Sequence, residues 1–228
     1  MWNGKLKAIT FSYDDAVKQD IRLIEILNKY GLKGTFNLNS GALGQSASIV
    51  REGVEIRHDK NAAEDIRHIY EGHEIAAHTL THPTLTKVES DTEIIRQVEQ
   101  DRLRLSELAG YEVVGFAYPG GGVNYNRRIA DLLRENTGVR YCRTTVTTAS
   151  FDPEPDLYVF RPTAHHGGAA ALAESFLALK PTSPKLFYIW GHSYEFDIHD
   201  TWVEFEELCR LLSGRDDIYY ATNKDVLL

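Results

Sequence analysis

The sequence predicts an α/β barrel of seven to eight parallel strands, formed by a single domain over residues 1–228. Short runs rich in β-branched and aromatic residues recur along the chain at strand length. Segments with the apolar spacing of amphipathic helices separate these runs. Strands that alternate with helices form βαβ units around a parallel sheet, and this many units favour closure into a barrel over an open sheet.

The predicted strands share a high content of branched aliphatic and aromatic residues. They cover residues 6–12, 34–38, 73–78, 113–119, 139–145, 157–162, 185–192 and 217–223. The predicted helices carry apolar residues three and four positions apart, and several end on glycine, which favours helix termination. They cover residues 19–31, 62–72, 90–110, 126–138, 168–180 and 201–214. Residues 39–61 are expected to form a long irregular loop.

The composition, with 43% hydrophobic and 25% charged residues, is that of a globular protein. The net charge of −8 argues against a general nucleic-acid binder or a binder of anionic membranes, because both need clustered lysine and arginine. The chain as given shows neither the apolar core of a signal peptide nor an apolar run of about 18 residues, so we expect a cytoplasmic protein. Cys142 and Cys209 are far apart and are expected to be small buried apolar side chains.

Polar residues follow four of the predicted strands. They occupy residues 12–15 ("SYDD"), 78–83 ("HTLTHP"), 118–122 ("YPGGG") and 190–195 ("WGHSYE"). In a parallel barrel the carboxyl ends of the strands meet on one face, which is where barrel enzymes place their catalytic residues. We therefore expect these four segments to share one site.

The histidines at positions 78 and 82 have a spacing that suits a shared metal ion. Asp14 or Asp15 would complete a set of two histidines and one aspartate with an open position, as in catalytic metal sites. A bound dication would also let two adjacent carboxylates stay ionised. Each feature has a structural alternative: a chance His-x-x-x-His pair, a helix cap for the aspartates, a glycine loop, and a hydrogen-bonded core histidine at His192.

The order of these segments resembles the polysaccharide deacetylases with the NodB homology domain, also called carbohydrate esterase family 4. The family motif H-[ST]-x-x-H-P matches "HTLTHP" letter for letter, which implies that His78 and His82 are metal ligands and that Thr79 braces the loop. The motif T-F-D-D-G is similar to "TFSYDDA", which implies Asp14 as catalytic base and Asp15 as metal ligand. The resemblance covers nearly the whole chain and implies a deformed barrel.

The third family motif, R-x-P-[YF]-G, supplies an arginine for the base and a backbone N–H for the oxyanion. The matching stretch "FAYPGGG" has Ala117 in place of the arginine, while the Gly120 N–H is retained. We expect Arg143 or Arg161 to reach the same space from a neighbouring strand, and we favour Arg143.

The last two family motifs are matched only loosely. The aspartate that tunes the catalytic histidine is not visible, and L-x-H corresponds to residues 190–192, which makes His192 the expected acid. We expect Glu195 to orient His192 in place of the absent aspartate. Tyr118 and Trp190 are expected to contact the substrate; Tyr13 and Tyr194 either stack on a sugar or pack the barrel.

The resemblance implies one divalent metal, zinc first, with cobalt or another divalent ion as alternatives. It implies hydrolysis of the acetyl amide of an N-acetylated sugar, or of a related non-peptide amide, by a metal-activated water, with a small-molecule or oligosaccharide as substrate. A retaining or inverting glycosidase is disfavoured, because adjacent Asp14 and Asp15 cannot flank a sugar ring at separations of about 5 to 9.5 Å. The alternative is a non-catalytic carbohydrate- or ligand-binding domain that keeps a structural metal; Ala117 supports it, and the retention of His192 opposes it.

The remaining histidines are expected to matter less. The pair in "AHHGG" (164–168) is interpreted as structural or as part of the substrate rim. His58, His68 and His73 are expected to face solvent.

Overall fold

The computed structural model describes residues 2–228. Its strands are β1 (Lys7–Asp14), β2 (Gly34–Leu38), β3 (Ser48–Arg51), β4 (Val54–Arg57), β5 (Glu74–Ala77), β6 (Gly115–Ala117), β7 (Tyr141–Arg143), β8 (Ala164–His165), β9 (Lys185–Gly191) and β10 (Ile218–Tyr220). Its α-helices are α1 (Asp20–Lys29), α2 (Ile66–Ile69), α3 (Asp91–Ala109), α4 (Arg127–Asn136), α5 (His166–Ala178), α6 (Glu195–His199), α7 (Trp202–Leu212) and α8 (Asn223–Leu227).

Eight parallel strands form one curled sheet in the order β7-β6-β5-β2-β1-β9-β8, with β10 paired to β1. Both β2 and β10 pair with the same edge of β1. Strand β10 pairs with Lys7–Ile9, and β2 pairs with Phe11–Asp14. This arrangement confirms the predicted deformed α/β barrel.

The gap between β7 and β8 is bridged by an irregular segment. The Phe160 N–H donates to Cys142 O (2.9 Å), and the Thr163 N–H donates to Tyr188 O of β9 (2.9 Å). A full strand over residues 157–162 was predicted, and this prediction is wrong. The side chain of Asp156 accepts from the backbone N–H at position 158 and holds Leu157–Val159 in a 3-10 turn, so only Phe160 joins the sheet.

Side chains alternate along β1 between a polar interior and an apolar helix-facing side, as the period of two in a strand requires. Thr10, Ser12 and Asp14 point into a polar interior, where Asn37 donates to Ser12 Oγ (2.9 Å) and Asn223 donates to the same oxygen (3.2 Å). The residues between them turn outward; Phe11 and Tyr13 pack edge-on against Phe205 of α7. The strand therefore carries Asp14 at the top of the polar interior.

Two further parts of the sequence fold differently from expectation. Residues 39–61 contain the hairpin β3–β4, whose turn places Glu52 (φ 52°) and Gly53 (φ 80°) in the left-handed conformation that suits a tight hairpin. The predicted helix 62–72 is shorter than expected and consists of α2 alone. The residues before α2 form turns, and the Asn61 N–H donates to Ala16 O instead of starting a helix. Both cysteines are buried, as predicted.

Within residues 2–228, no helix combines the length and the apolar character needed to cross a bilayer.

We predict that Gly115→Ala destabilises the fold. A Cβ at Gly115 would lie 2.1 Å from Tyr141 Oη, and Tyr141 cannot easily move because it is buried and donates to Glu74 Oε1 (2.9 Å). Such overpacking costs about 1 to 3 kcal/mol of the free energy of unfolding, measurable by urea titration. The control is Gly121→Ala, where a Cβ meets nothing within 4 Å. Equal stability of the two variants would contradict the prediction.

Candidate active site

The four polar strand ends border one cavity of about 480 Å³, as the sequence predicts for a parallel barrel. Residues that were predicted to act in catalysis, metal binding or substrate binding contribute to its wall: Asp14, Asp15, His82, Tyr118, Gly120, Trp190, His192 and Glu195. His78 lies buried beneath the cavity, within reach of both aspartates.

Asp15, His78 and His82 converge as a candidate metal-binding group. Asp15 Oδ1 lies 3.6 Å from His82 Nε2 and 4.0 Å from His78 Nε2, and one ligand atom from each residue lies within 4.8 Å of the others. Two imidazoles and one carboxylate with room for further ligands match the donor set of catalytic zinc sites.

The two ring nitrogens of His78 have the hydrogen-bonding state that a metal ligand needs. Its Nδ1 lies 2.8 Å from Ala117 O, a carbonyl that can only accept, so the proton belongs on Nδ1 and the lone pair on Nε2. The buried Nε2 has no hydrogen-bond partner within residues 2–228. Burial lowers the pKa of His78 to about 4, so the ring is neutral at neutral pH. A neutral imidazole whose Nδ1–H donates to a carbonyl and whose Nε2 lone pair is free can bind a divalent metal.

The candidate ligands lie on strained backbone that surrounding hydrogen bonds hold in place. Asp15 (φ 85°), Thr79 (φ 69°) and His82 (φ 61°) are left-handed, which for a β-branched threonine is a genuine outlier. Thr79 Oγ1 accepts from the His82 N–H (3.1 Å), and Asn39 Nδ2 donates to His78 O (2.5 Å) and Thr79 O (2.9 Å). Each such residue costs about 1 to 3 kcal/mol and persists only where its surroundings enforce it.

Asp14 is buried among groups that keep it ionised. Its Oδ1 accepts from Arg143 Nη2 and from Asn37 Nδ2 (2.8 Å), while its Oδ2 lies 3.8 Å from His192 Nε2 and 3.9 Å from His78 Nε2. Burial raises the pKa of Asp14, but the positive charge of Arg143 outweighs burial, together with the nearby His192, and leaves the pKa below its usual value. Asp14 is therefore a carboxylate at neutral pH.

Arg143 stands one strand away from the position where the third motif would place an arginine. It pairs with Ala117 in the register of β6 and β7, so the two side chains occupy equivalent places on neighbouring strands. Arg143 is buried, and its guanidinium carbon lies 4.8 Å from the centre of the Trp190 ring. Arg161, the other candidate, is exposed and paired with Glu154 (2.9 Å), away from the site.

His192 lies between two carboxylates. Its Nε2 faces Asp14, and its Nδ1 lies 3.2 Å from Glu195 Oε1. Burial lowers the pKa of His192, but the hydrogen bond to Glu195 and the charge of Asp14 outweigh burial and raise the pKa to about 9. Glu195 Oε2 also lies 2.9 Å from His165 Nε2 and 3.3 Å from His166 Nε2. Thus His165 and His166, the pair in "AHHGG", pack against the partner of His192.

The aromatic residues divide into packing and cavity-facing groups. The ring of Tyr118 is buried and its hydroxyl donates to Tyr158 O (2.8 Å), while the residue also borders the cavity, so its predicted substrate contact stays a prediction. Tyr13 packs in the core against helix residues. Trp190 and Tyr194 border the cavity and remain available to a substrate.

The Gly120 amide stays available at the cavity wall. It has no hydrogen-bond acceptor among residues 2–228. Gly120 has a φ of 80°, and an added Cβ would approach Thr84 Oγ1 to 2.9 Å, so this turn requires glycine.

Two of the histidines that were expected to face solvent do not. His58 Nε2 lies 3.4 Å from Asp15 Oδ2, and Lys60 Nζ donates to Asp15 O (2.7 Å), because the segment after β4 folds back over this residue. Burial raises the pKa of Asp15, but His58 and Lys60 outweigh it and hold the pKa well below its usual value. His73 is buried and accepts a backbone N–H; His68 is exposed, as predicted.

Sequence reasoning missed three polar residues that position the site: Asn37, Asn39 and Asp101. Asp101 on α3 accepts from the Ser40 N–H (2.7 Å) and the His78 N–H (2.9 Å), so one carboxylate fixes the loop and the ligand together. Asn37 was part of a predicted strand and could have been singled out as a polar residue inside a buried run. Nothing local marks Asp101, which lies in an ordinary amphipathic helix.

Comparison with known proteins gives consistent results. A family model described as polysaccharide deacetylase matches residues 3–141. The peptidoglycan-N-acetylglucosamine deacetylase PgdA of Listeria monocytogenes is 24% identical over 120 residues, which cover 52% of this chain and 22% of PgdA. The match therefore spans less than a quarter of the length of that relative.

Solved structures share the fold at low sequence identity. The Xyl-CE4 domain of a multidomain xylanase from the hindgut metagenome of Trinervitermes trinervoides is 17% identical, with a TM-score of 0.59 and coverage of 96% of this chain and 89% of that chain. A CE4 family pseudoenzyme from Bacillus anthracis is 14% identical, with a TM-score of 0.54 and coverage of 97% and 66%. Both are similar in fold.

We predict that Asp15→Asn weakens zinc binding more than Asp14→Asn does. Asparagine tolerates the left-handed backbone of Asp15 and removes the charge that a ligand needs, whereas Asp14 already has Arg143 and Asn37 as partners. The measurement is the zinc retained after gel filtration of protein loaded with one equivalent. Equal retention by the two variants would count against Asp15 as the ligand.

Proposed function

The chain belongs to the polysaccharide deacetylase family, and from that premise we propose that it is a metal-dependent hydrolase that deacetylates an N-acetylated sugar or oligosaccharide. One observation carries the proposal. A candidate metal group, an ionised aspartate and a protonated histidine border the same cavity, and each has its own supporting contacts. These are the three parts that metal-assisted amide hydrolysis requires.

Asp15, His78 and His82 would hold the ion, with zinc first by donor type and cobalt as an alternative. A divalent ion in that position supplies a Lewis acid for the carbonyl oxygen and lowers the pKa of a water molecule. The protein itself would supply the proton transfers and the hydrogen bonds to the reacting atoms.

Asp14 is proposed as the general base. Its Oδ1 is occupied by Arg143 and Asn37, so Oδ2 is the oxygen free to accept a proton from the attacking water. Arg143 would act through Asp14 as a positioning residue, because it is buried and does not border the cavity. The Gly120 N–H would donate to the oxygen that gains negative charge as the carbonyl is attacked.

His192 is proposed as the general acid. A pKa of about 9 keeps it protonated at neutral pH, and Nε2 points to the side where Asp14 and the substrate meet. The proton on His192 Nε2 would be transferred to the leaving nitrogen. Glu195 would orient the ring through Nδ1, in place of the aspartate that the family uses.

The alternative function is a carbohydrate- or ligand-binding domain with a structural metal, and a pseudoenzyme of this fold exists in Bacillus anthracis. The loss of an arginine at Ala117 favours that alternative. The presence of Arg143 on Asp14 weakens it, since the charge lost at one strand is supplied from the next.

We predict that the purified protein releases acetate from N-acetylated mono- or oligosaccharides, and that chelation abolishes and zinc or cobalt restores this activity. Asp14→Asn and His192→Gln should each lower kcat by about 10² to 10⁴, because each removes one proton-transfer group. The assay is enzymatic detection of acetate over a panel of acetylated sugars. One equivalent of bound metal without turnover on any amide or ester would favour the binding-domain alternative.

We predict that Glu195→Gln moves the alkaline limb of the kcat–pH profile to lower pH. The acid form of His192 is lost as pH rises through its pKa, about 9 in the native site. Glutamine removes the negative charge at Nδ1, which destabilises the imidazolium and lowers that pKa.

The matched control is Glu52→Gln, which removes the same charge from the rim of the same cavity without a contact to His192. A limb that shifts equally in both variants would reveal a general charge effect, and a limb that shifts in neither would remove Glu195 from its proposed role.

A further inference from the structure

A second cluster of metal-ligand residues lies behind His192, on the side away from Asp14. Glu195 is at its centre: Oε1 lies 3.2 Å from His192 Nδ1, and Oε2 lies 2.9 Å from His165 Nε2. His166 Nε2 is 3.3 Å from the same Oε2. The proposed function uses His192 and Glu195 but assigns nothing to His165.

The spacing of these atoms suits a transition metal ion. One ligand atom from each of His165, His192 and Glu195 lies within 4.8 Å of the other two. Two ligands bound to one tetrahedral zinc ion at about 2.0 to 2.1 Å lie about 3.3 Å apart. The contacts of 2.9 and 3.2 Å, which join the two oxygens of Glu195 to His165 Nε2 and His192 Nδ1, are close to that value.

The cluster is reachable from the cavity. The side chains of His165, His192 and Glu195 are 35%, 20% and 21% exposed, and the last two border the cavity wall. An ion could therefore enter without unfolding, and water could complete its coordination. Imidazole and carboxylate donors favour zinc, copper, nickel or cobalt over magnesium or calcium.

We propose that His165, His192 and Glu195 form a second site for a divalent transition metal ion, of which Zn²⁺ is the probe, and that occupancy of this site inhibits the enzyme. The inhibitory part rests on the proposed role of His192 as general acid; the binding part does not. The ion takes the lone pairs of His192 Nδ1 and His165 Nε2, and the protons on those nitrogens pass to solvent.

Inhibition follows from the chemistry of the imidazole ring. With a metal on Nδ1, His192 retains a proton only on Nε2 and cannot form the imidazolium. Transfer of that proton to a leaving nitrogen would leave a metal-bound imidazolate, so the metal-bound neutral ring is a far weaker acid than the imidazolium it replaces. Excess metal would thus remove the general acid while the ion held by Asp15 stays in place.

The test uses His165→Asn. Asparagine retains a polar atom near the position of Nδ1, which accepts from the Gly167 N–H (3.3 Å) at the start of α5, and it removes Nε2, the atom that faces Glu195. The matched control is His68→Asn, an exposed histidine outside both clusters. The primary readout is zinc per protein after equilibrium dialysis at low and at excess free zinc, which needs no substrate.

We expect two equivalents in the wild type and in His68→Asn at excess zinc, and one equivalent in His165→Asn. In the acetate assay, excess zinc should inhibit the wild type, and the zinc concentration for half inhibition should rise about 10- to 100-fold or more in His165→Asn. Each variant is compared with its own activity at one equivalent. Asp15→Asn should retain the second, weaker equivalent at excess zinc.

One equivalent in the wild type at excess zinc, or a second equivalent that persists in His165→Asn, would overturn the site. A second equivalent that leaves turnover unchanged would overturn its inhibitory role. If no substrate is turned over, the proposed function fails while the dialysis result still decides whether the second site exists.

Discussion

The site depends on how the protein accommodates two adjacent buried carboxylates at the end of β1. Neighbouring residues in a strand point to opposite faces, so Asp14 and Asp15 would normally be separated by the sheet. The left-handed backbone at Asp15 ends the alternation, and as a result His78 Nε2 lies 3.9 Å from one carboxylate and 4.0 Å from the other. Like charges this close raise each other's pKa unless cations compensate them. The compensation is divided: Arg143 lies against Asp14, while His58 and Lys60 lie against Asp15.

Buried Asp14 needs a positively charged partner nearby. Arg143 provides it from a different position in the sequence than the third family motif would. Ala117 and Arg143 are paired in the register of adjacent strands, and the Arg143 guanidinium on β7 reaches Asp14 Oδ1. Because both partners are buried, removal of one would leave an uncompensated charge, at a cost of about 3 to 5 kcal/mol. This pair therefore links the stability of the barrel to the state of its proposed base.

The sequence predicted what depends on local pattern and missed what depends on distant contacts. The alternation of strands and helices predicted the barrel, and the strand ends predicted that His78, His192 and both aspartates would meet. Asp101 was missed because its role requires α3 to pack across the end of β5, which no local spacing reveals. His58 was misjudged because a polar loop was assumed to be solvated, whereas its hairpin folds back onto Asp15.

The burial of the Tyr118 ring was not predicted, for a related reason. An aromatic residue at a strand end is compatible with a sugar contact and with the core, and the choice depends on which side of the sheet it faces. Its hydroxyl reaches Tyr158 O on the irregular segment that closes the barrel, so the ring faces the packed side. The same segment was wrongly predicted as a strand, because the barrel closes through a 3-10 turn that periodicity cannot detect.

The distribution of charge also bears on the choice between a hydrolase and a binding domain. A structural metal needs only Asp15, His78 and His82. The protein additionally keeps a continuous series of alternating charges, from Arg143 through Asp14 and His192 to Glu195. Burying charged groups is costly, and a binding domain could replace them with apolar residues at little or no loss of stability. The series places the proposed base and the proposed acid 3.8 Å apart beside one cavity, an arrangement that a metal-stabilised fold does not need.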